Sequence, residues 1–497
     1  MLPAMIRQLE VDGVPALLAP VSGPMHAGLV FRVGVADESP ARRGITHLVE
    51  HLVLPGPAQV SSHLNSRTGT EHTYFHVQGS AERITEFLAG VCAALRRLPD
   101  GRMAAEKEVL RSEAAGRVSD PLPMRRHGAR DFGMPSYPEW GLSGLAAEHL
   151  NEWIARYFTR DNAALWVAGD DLPEGLALDL PDGARQPAPA PSSVLPVTPA
   201  AFAGSGDRTA WDTAVRREAR AAVFANVLER HLDRDLCRRS PIAGAVRTEY
   251  QPRAARTARI TAFAEPLAGQ RDAALHGLVE VLSAMRTGRI EADDVTTVVG
   301  LTCDGLREAE ERGGRLPGQA FNVLAGLSVR SLDDAIAEVR AVTAPEVAEV
   351  AATAYDAGLL MTPAGTSADW AGYPAVPPGS GSVVTGRTRR SRTDRGLRLV
   401  HGDDGISLMT GETARTVRYD ACAAVLAWPD GARELIGDDG IAVRVEPALF
   451  RHGEAVTSEI DARVPGAHRV GMPARDPGSI PRPRRGLWRT GSLSRPE

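Results

Sequence analysis

Apolar and polar positions recur along this chain in patterns that mark its elements. Ile84, Phe87, Leu88, Val91 and Leu95 fall at spacings of three and four, which predicts an amphipathic helix over Ala81–Leu98. Leu29, Val30, Phe31 and Val33 give His26–Val35 strand character, as do Ile6–Pro20 and the aromatic and β-branched run Thr73–Val77. Helices are expected at Thr46–Leu54, Met103–Val118 and Leu145–Phe158, and a strand at Ala163–Ala168. The Pro/Ala-rich stretch Arg185–Pro199 reads as a linker. Beyond it the clearest helices are Ala214–Leu236, Gln270–Thr287, Ala292–Arg312 and Leu332–Tyr355.

A second stretch, Pro363–Arg395, is full of Gly, Pro, Ser and Arg, and the pattern then changes. Short strands are expected at Leu397–Val400, Ile406–Met409, Thr416–Tyr419, Ala423–Trp428 and Ile441–Val445. Gly402-Asp403-Asp404-Gly405-Ile406 recurs as Gly437-Asp438-Asp439-Gly440-Ile441. Asp-Gly is a hairpin signal. A calcium-loop reading of these pairs lacks the glutamate at the twelfth position. Phe450–Val464 reads as a closing helix and Gly466–Glu497 as a disordered, arginine-rich tail. The expected fold class is α+β. Two α/β units, 1–184 and 200–365, are joined by a linker at 185–199. A flexible linker, 366–395, leads to a small antiparallel β-module at 396–465, followed by the tail 466–497.

Composition narrows the picture without directing it. The 497 residues, 43% hydrophobic, have room for two to four domains. A net charge of −5 gives no global case for nucleic acid or membrane as partner. Cys92, Cys237, Cys303 and Cys422 are far apart, with no CxxC pair, which argues against a disulfide framework or a cysteine zinc site. No signal-like start and no membrane-length apolar run is evident, so a soluble cytoplasmic protein is expected.

The candidate chemistry lies in Ile45-Thr46-His47-Leu48-Val49-Glu50-His51-Leu52. Four residues apart on a helix, His47 and His51 share a face, and Glu50 lies about 60° to the side of His47. Two imidazoles on one face suit a zinc ion, with a carboxylate beside it to serve as base. The HxxEH order inverts HExxH and is itself a zinc-peptidase signature. Zinc needs a further protein ligand. Met103–Val118 offers Glu106, Glu108 and Glu113; Glu106 and Glu113, seven apart, share a face, and Glu108 points away.

HxxEH followed by E-x6-E on a helix resembles the pitrilysin (M16) family of zinc metallopeptidases, which includes insulin-degrading enzyme and the mitochondrial processing peptidase. Gly44-Ile45-Thr46 runs into the motif as in family members, and the run from Leu64 to Phe75 is similar to the family's NAxTxxxxT strand. Leu142-Ser143-Gly144 and the run from Tyr157 to Asn162 resemble segments before the domain's last strand. The resemblance implies antiparallel or mixed sheets with helices packed on them. It implies Zn2+ held by His47, His51 and Glu113, with Glu50 as general base and Glu106 orienting His51 or the water. Asn65 and Thr68, with the backbone between them, would bind a peptide as an added strand. Arg238 fits the arginine of a family Arg/Tyr pair that grips substrate, but Ala245 stands where the tyrosine belongs. The interval between Leu54 and Leu64 is short for the family. These features imply a zinc-dependent metalloendopeptidase acting on peptides or unfolded segments in a chamber, a peptide precursor among them. The chamber would be shared with a second such chain as a homodimer or heterodimer. A non-catalytic or partner-dependent subunit is the alternative. The β-module lies outside the family core and would suit a pleckstrin-homology-like barrel.

Overall fold

The six residues of the strand Ala163–Ala168 are all buried, which requires cover on both faces of the sheet that contains them. In the computed structural model, the described residues are 6–54, 64–116 and 119–483. The interval between Leu54 and Leu64 therefore lies outside them, as do residues 484–497. The chain divides into two units, Met1–Val376 and Pro377–Glu497. Among the described residues, no helix is long and apolar enough to cross a membrane.

The described residues of the first unit form two sheets. One comprises β1 (Arg7–Val11), β2 (Val14–Ala19), β3 (His26–Phe31), β4 (Leu64–Thr68), β5 (Thr73–Gln78) and β6 (Ala163–Ala168), in the order β1-β2-β6-β3-β5-β4. Among the described residues of this sheet, only β2 and β6 pair in parallel. The single strand expected over Ile6–Pro20 is a hairpin, because Asp12 and Gly13 take positive φ (49° and 81°) and reverse the chain. On one face lie α1 (Ile45–Val53), α2 (Ala81–Arg96), α3 (Met103–Ala115) and α5 (Ala147–Tyr157), burying Leu48, Leu52, Leu88, Leu110 and Trp153 against Leu29, Phe31 and Phe75. The short α4 (Leu122–His127) lies between α3 and α5 in the chain.

The second sheet comprises β7 (Ala200–Ala203), β8 (Thr209–Arg216), β9 (Ala243–Pro252), β10 (Thr257–Pro266) and β11 (Leu359–Thr362), in the order β7-β11-β8-β10-β9. Its core is shared with α6 (Ala219–Leu232), α7 (Arg271–Arg286), α8 (Ala292–Glu311), α10 (Leu332–Arg340) and α11 (Ala344–Asp356). The remaining helix, α9 (Leu316–Leu324), crosses to the first sheet. Its Leu316, Ala320, Phe321 and Leu324 cover Leu17, Val30, Ala164 and Trp166 on the face opposite α1.

Three expectations need correction here. The helix expected from Ala214 begins at Ala219, because Ala214, Val215 and Arg216 pair with β10, and its end, Asp233–Arg239, is a π-helical turn. Leu332–Tyr355 is two helices. Thr343 and Glu346 form a capping box at the start of α11, and Pro345 sits in its first turn. The linker expected at 366–395 is not free of structure. Tyr373 in it is fully buried and accepts a 3.0 Å hydrogen bond from Trp211 Nε1.

Two buried charges join the halves of this unit. Asp212 on β8 accepts hydrogen bonds from Arg126 of α4 and Arg259 of β10. Arg126 also donates to the carbonyls of Asp212 and Ala357 (2.8 and 3.0 Å). Burial pushes the Asp212 carboxyl up, but the two guanidinium groups outweigh it and hold it far below the usual range. Glu71, in the β4–β5 turn, accepts the backbone N–H of Ala254 at 3.2 Å. There burial wins and pushes its carboxyl up to about 7.

The second unit adds two more sheets. Antiparallel β12 (Arg387–Arg390), β13 (Leu397–His401), β14 (Gly405–Thr410) and β15 (Thr413–Arg418) form one. The other has the order β18-β17-β16-β19, from β16 (Cys422–Ala427), β17 (Arg433–Gly437), β18 (Ala442–Val445) and β19 (Arg469–Gly471). Helix α12 (Gly453–Arg463) packs Val456 and Ile460 against Leu399, Ile406, Leu435 and Val443. Strand β12 forms inside the expected linker, and β19 inside the expected disordered tail. The tail is tied down by β19 pairing parallel to β16 and by Arg475, which donates to Glu446 (2.7 and 2.9 Å) and Asp430 (2.7 Å).

Because the folded pKa of Glu71 lies above the unfolded value, its contribution is fully present below about pH 4.5 and is lost as pH rises through about 7. The loss amounts to ~3 kcal/mol. Glu71→Gln should remove this dependence and stabilise the chain at pH 8, read as the urea midpoint at pH 5 and pH 8. An unchanged pH dependence in the variant would show that Glu71 does not titrate in this window.

Candidate active site

Helix α1 is fixed at both ends. It begins at Gly44, whose φ of +97° is left-handed, and a Cβ there would stand 2.9 Å from the Cβ of Glu139. Glycine thus permits both the turn and the close approach of the 139 segment. The carboxylate of Glu38 accepts the N–H groups of Gly44 (3.0 Å) and Thr46 (2.9 Å) and a bond from Arg43 (2.9 Å). It satisfies donors that a helix start leaves open and puts negative charge at the positive end of the dipole. At the other end Arg102 donates to the carbonyls of His51 (3.1 Å) and Leu54 (2.8 Å).

One turn apart on α1, the rings of His47 and His51 sit edge to face, 4.9 Å between centroids. Glu113 on α3 faces both: Oε2 is 3.7 Å from His47 Nε2 and Oε1 is 3.8 Å from His51 Nε2. One ligand atom from each of the three residues lies within 4.8 Å of the others. Tetrahedral zinc with arms of 2.0–2.2 Å sets its donors roughly 3.5 Å apart, so the donor set and its spacing fit such an ion. Each imidazole has its Nδ1 on a carboxylate: His47 on Glu139 Oε1 (3.0 Å), His51 on Glu106 Oε2 (3.1 Å). With Nδ1 donating, Nε2 carries the lone pair that a metal would take, the arrangement by which a carboxylate fixes the ligating tautomer at metal sites. Burial would raise the Glu106 carboxyl, but hydrogen bonds from Arg102 (2.7 Å) and His51 hold it below its ordinary value.

Glu50 is 5% exposed. Its Oε1 accepts a 2.6 Å bond from Ser66 Oγ, and its Oε2 accepts one from Thr68 Oγ1. Both donors lie on β4, where Ser66 pairs with Phe75 and Thr68 with Thr73. Alternation along a strand puts these two on the side of α1 and Asn65 and Arg67 on the other. β4 ends the sheet order, so one of its edges has no strand partner among the described residues. A cavity of about 430 Å³ opens here, lined by His47, Glu50, His51, Asn65, Thr68, Glu113 and Glu139 among others. A larger hollow of about 600 Å³, beside Asn226, Glu229, Leu301 and Thr302, includes none of these residues.

The structure thus brings together His47, Glu50, His51, Glu106, Glu113, Asn65 and Thr68. Thr68, expected with Asn65 to bind a peptide as part of an added strand, also donates its hydroxyl to Glu50. Arg238 is elsewhere, exposed on the π-helical turn and donating to Asp233 at 2.6 Å. Ala245 is exposed on β9. Sequence reasoning missed Glu139 and the side chain of Ser66. Glu139 lies in a loop without periodicity, 92 residues from His47. Strand alternation was the one signal for Ser66. Glu139→Gln should lower metal affinity roughly 10–100-fold by weakening the bond that orients His47. Competition with a chromogenic zinc chelator measures this, and unchanged affinity would show that His47 needs no such carboxylate.

No protein-family model and no curated protein matches this sequence. Solved structures do match in fold. The chain is similar to a protease from Helicobacter pylori at 14% identity, with TM-score 0.60, covering 73% of this chain and 99% of that one. It is similar to the inactive domain of an M16 peptidase from Pseudomonas fluorescens at 12% identity, TM-score 0.61, covering 73% and 98%. It is also similar to the first half of the periplasmic protease PqqL from Escherichia coli at 13% identity, TM-score 0.57, covering 75% and 94%. Over roughly three quarters of its length, this chain carries the α/β fold of the M16 peptidases, a fold that serves proteases and an inactive domain alike.

Proposed function

We propose that this chain is a zinc-dependent endopeptidase. The observation that carries the proposal is the convergence of His47, His51 and Glu113, each imidazole backed by its own carboxylate, with Glu50 beside them. His47, His51 and Glu113 would hold the zinc, which would supply Lewis acidity toward water and the scissile carbonyl. The remaining work falls to the chain's own residues. Glu50 takes the proton of the attacking water and returns it to the leaving amine. Glu106 and Glu139 keep the imidazoles in the ligating tautomer. The open edge of β4 pairs with an extended peptide backbone, with Asn65 beside it. Peptides and unfolded segments present such a backbone, and enclosure in a chamber would favour them over folded proteins; a peptide precursor would qualify.

The chain covers 56% of the complete PqqL, which supports a chamber completed by a second M16-like pair, from another copy or a different chain. A second reading is a non-catalytic or partner-dependent subunit. It is favoured by Ala245 at the tyrosine position, by the pairing of Arg238 with Asp233, and by similarity to an inactive domain. Zinc per chain near zero supports the non-catalytic subunit; zinc near one with cleavage by this chain alone supports the peptidase, and zinc near one with cleavage only beside a second chain supports the partner-dependent subunit.

Dialysis against a chelator should abolish cleavage of internally quenched peptides, and added zinc should restore it. Glu50→Gln should lower kcat roughly 10²–10⁴-fold with zinc content unchanged. Full turnover by Glu50→Gln would sink the mechanism.

A further inference from the structure

We propose that Ser66 is a positioning residue for Glu50, acting with Thr68 as a two-hydroxyl clamp that sets the plane of the base. The inference rests on the peptidase reading above. The last torsion of a glutamate side chain is soft, with broad minima. A carboxylate held by one donor can still swing about that bond. Glu50 is held at both oxygens, Oε1 by Ser66 and Oε2 by Thr68, and two donors on opposite oxygens fix the plane. Each oxygen keeps a second lone pair, so the clamp leaves room to accept a proton.

Both hydroxyls come from one strand at alternating positions. That strand is the edge of the sheet. A peptide docking along β4 therefore acts on the same backbone that aims the base, and the two cannot shift independently. A purely structural role, satisfying a buried carboxylate, would account for the hydrogen bonds. It would not make the loss specific to turnover.

The test uses the full chain, zinc-loaded, on one internally quenched peptide that it cleaves. Ser66→Ala should lower kcat roughly tenfold, with KM within about twofold and zinc content and unfolding midpoint close to the parent's. Ser66→Thr, which keeps a hydroxyl, should restore kcat. Thr68→Val should behave as Ser66→Ala does, and Thr68→Ser as the parent. Activity in Ser66→Ala equal to the parent's, a loss in KM alone, or failure of Ser66→Thr to restore turnover overturns the clamp while leaving the peptidase reading intact. A parent chain that neither binds zinc nor cleaves any peptide overturns that reading and the clamp together.

Discussion

The side chain of Glu38 is wholly out of solvent, and its carboxylate is met by Arg43 and by the first N–H groups of α1. A buried charge of this kind persists only while its partners stay in place, since removing one strands the other in a low dielectric. It therefore fixes where α1 starts and how the helix is rotated about its axis. The directions of His47, Glu50 and His51 follow from that rotation. Arg43 extends the constraint, lying 3.6 Å from Glu139 Oε1, the oxygen that meets His47. The opposite end is held by Arg102, which binds both the last carbonyls of α1 and Glu106. The candidate ligands and the carboxylates behind them thus belong to one network laid along a helix of nine residues.

How much of this is legible in the sequence depends on whether a residue's role follows from a local period. His47, Glu50 and His51 obey helical spacing, as do Glu106 and Glu113, so the candidate metal-binding face can be drawn from the sequence before any fold is known. Glu139 obeys no period, because its position depends on Gly44 letting a distant loop approach. Ala214–Arg216 lie next to a strongly helical run and are drawn into a strand by pairing with β10, a tertiary effect that propensity does not register. Tyr373 is surrounded in sequence by residues typical of linkers, yet one buried aromatic ring with a satisfied hydroxyl is enough to order its segment.

The two halves of the first unit are not beads on a string. Helix α9 belongs to the second half by sequence and to the first sheet by packing, and the Asp212 ion cluster crosses the same junction. β6 can be apolar on both faces only because a helix from the other half covers one of them. The first sheet taken alone would expose Leu17, Val30 and Trp166, a patch that soluble proteins seldom leave open. The geometry of the site on its other face is thus underwritten by residues far along the chain.

In the second unit, β19 follows the closing helix and still supplies the last strand of its sheet, beside β16. A fragment that stopped at Val464, where α12 ends, would look complete on a topology diagram. It would nonetheless turn an inner strand, Cys422–Ala427, into a bare rim of unpaired amide and carbonyl groups along an apolar sequence. Such rims recruit other chains. The short strand Arg469–Gly471 is therefore also a guard against self-association, held at its post by its neighbours His468 and Met472, which bond to Cys422 and Ala427, as well as by the arginine at 475.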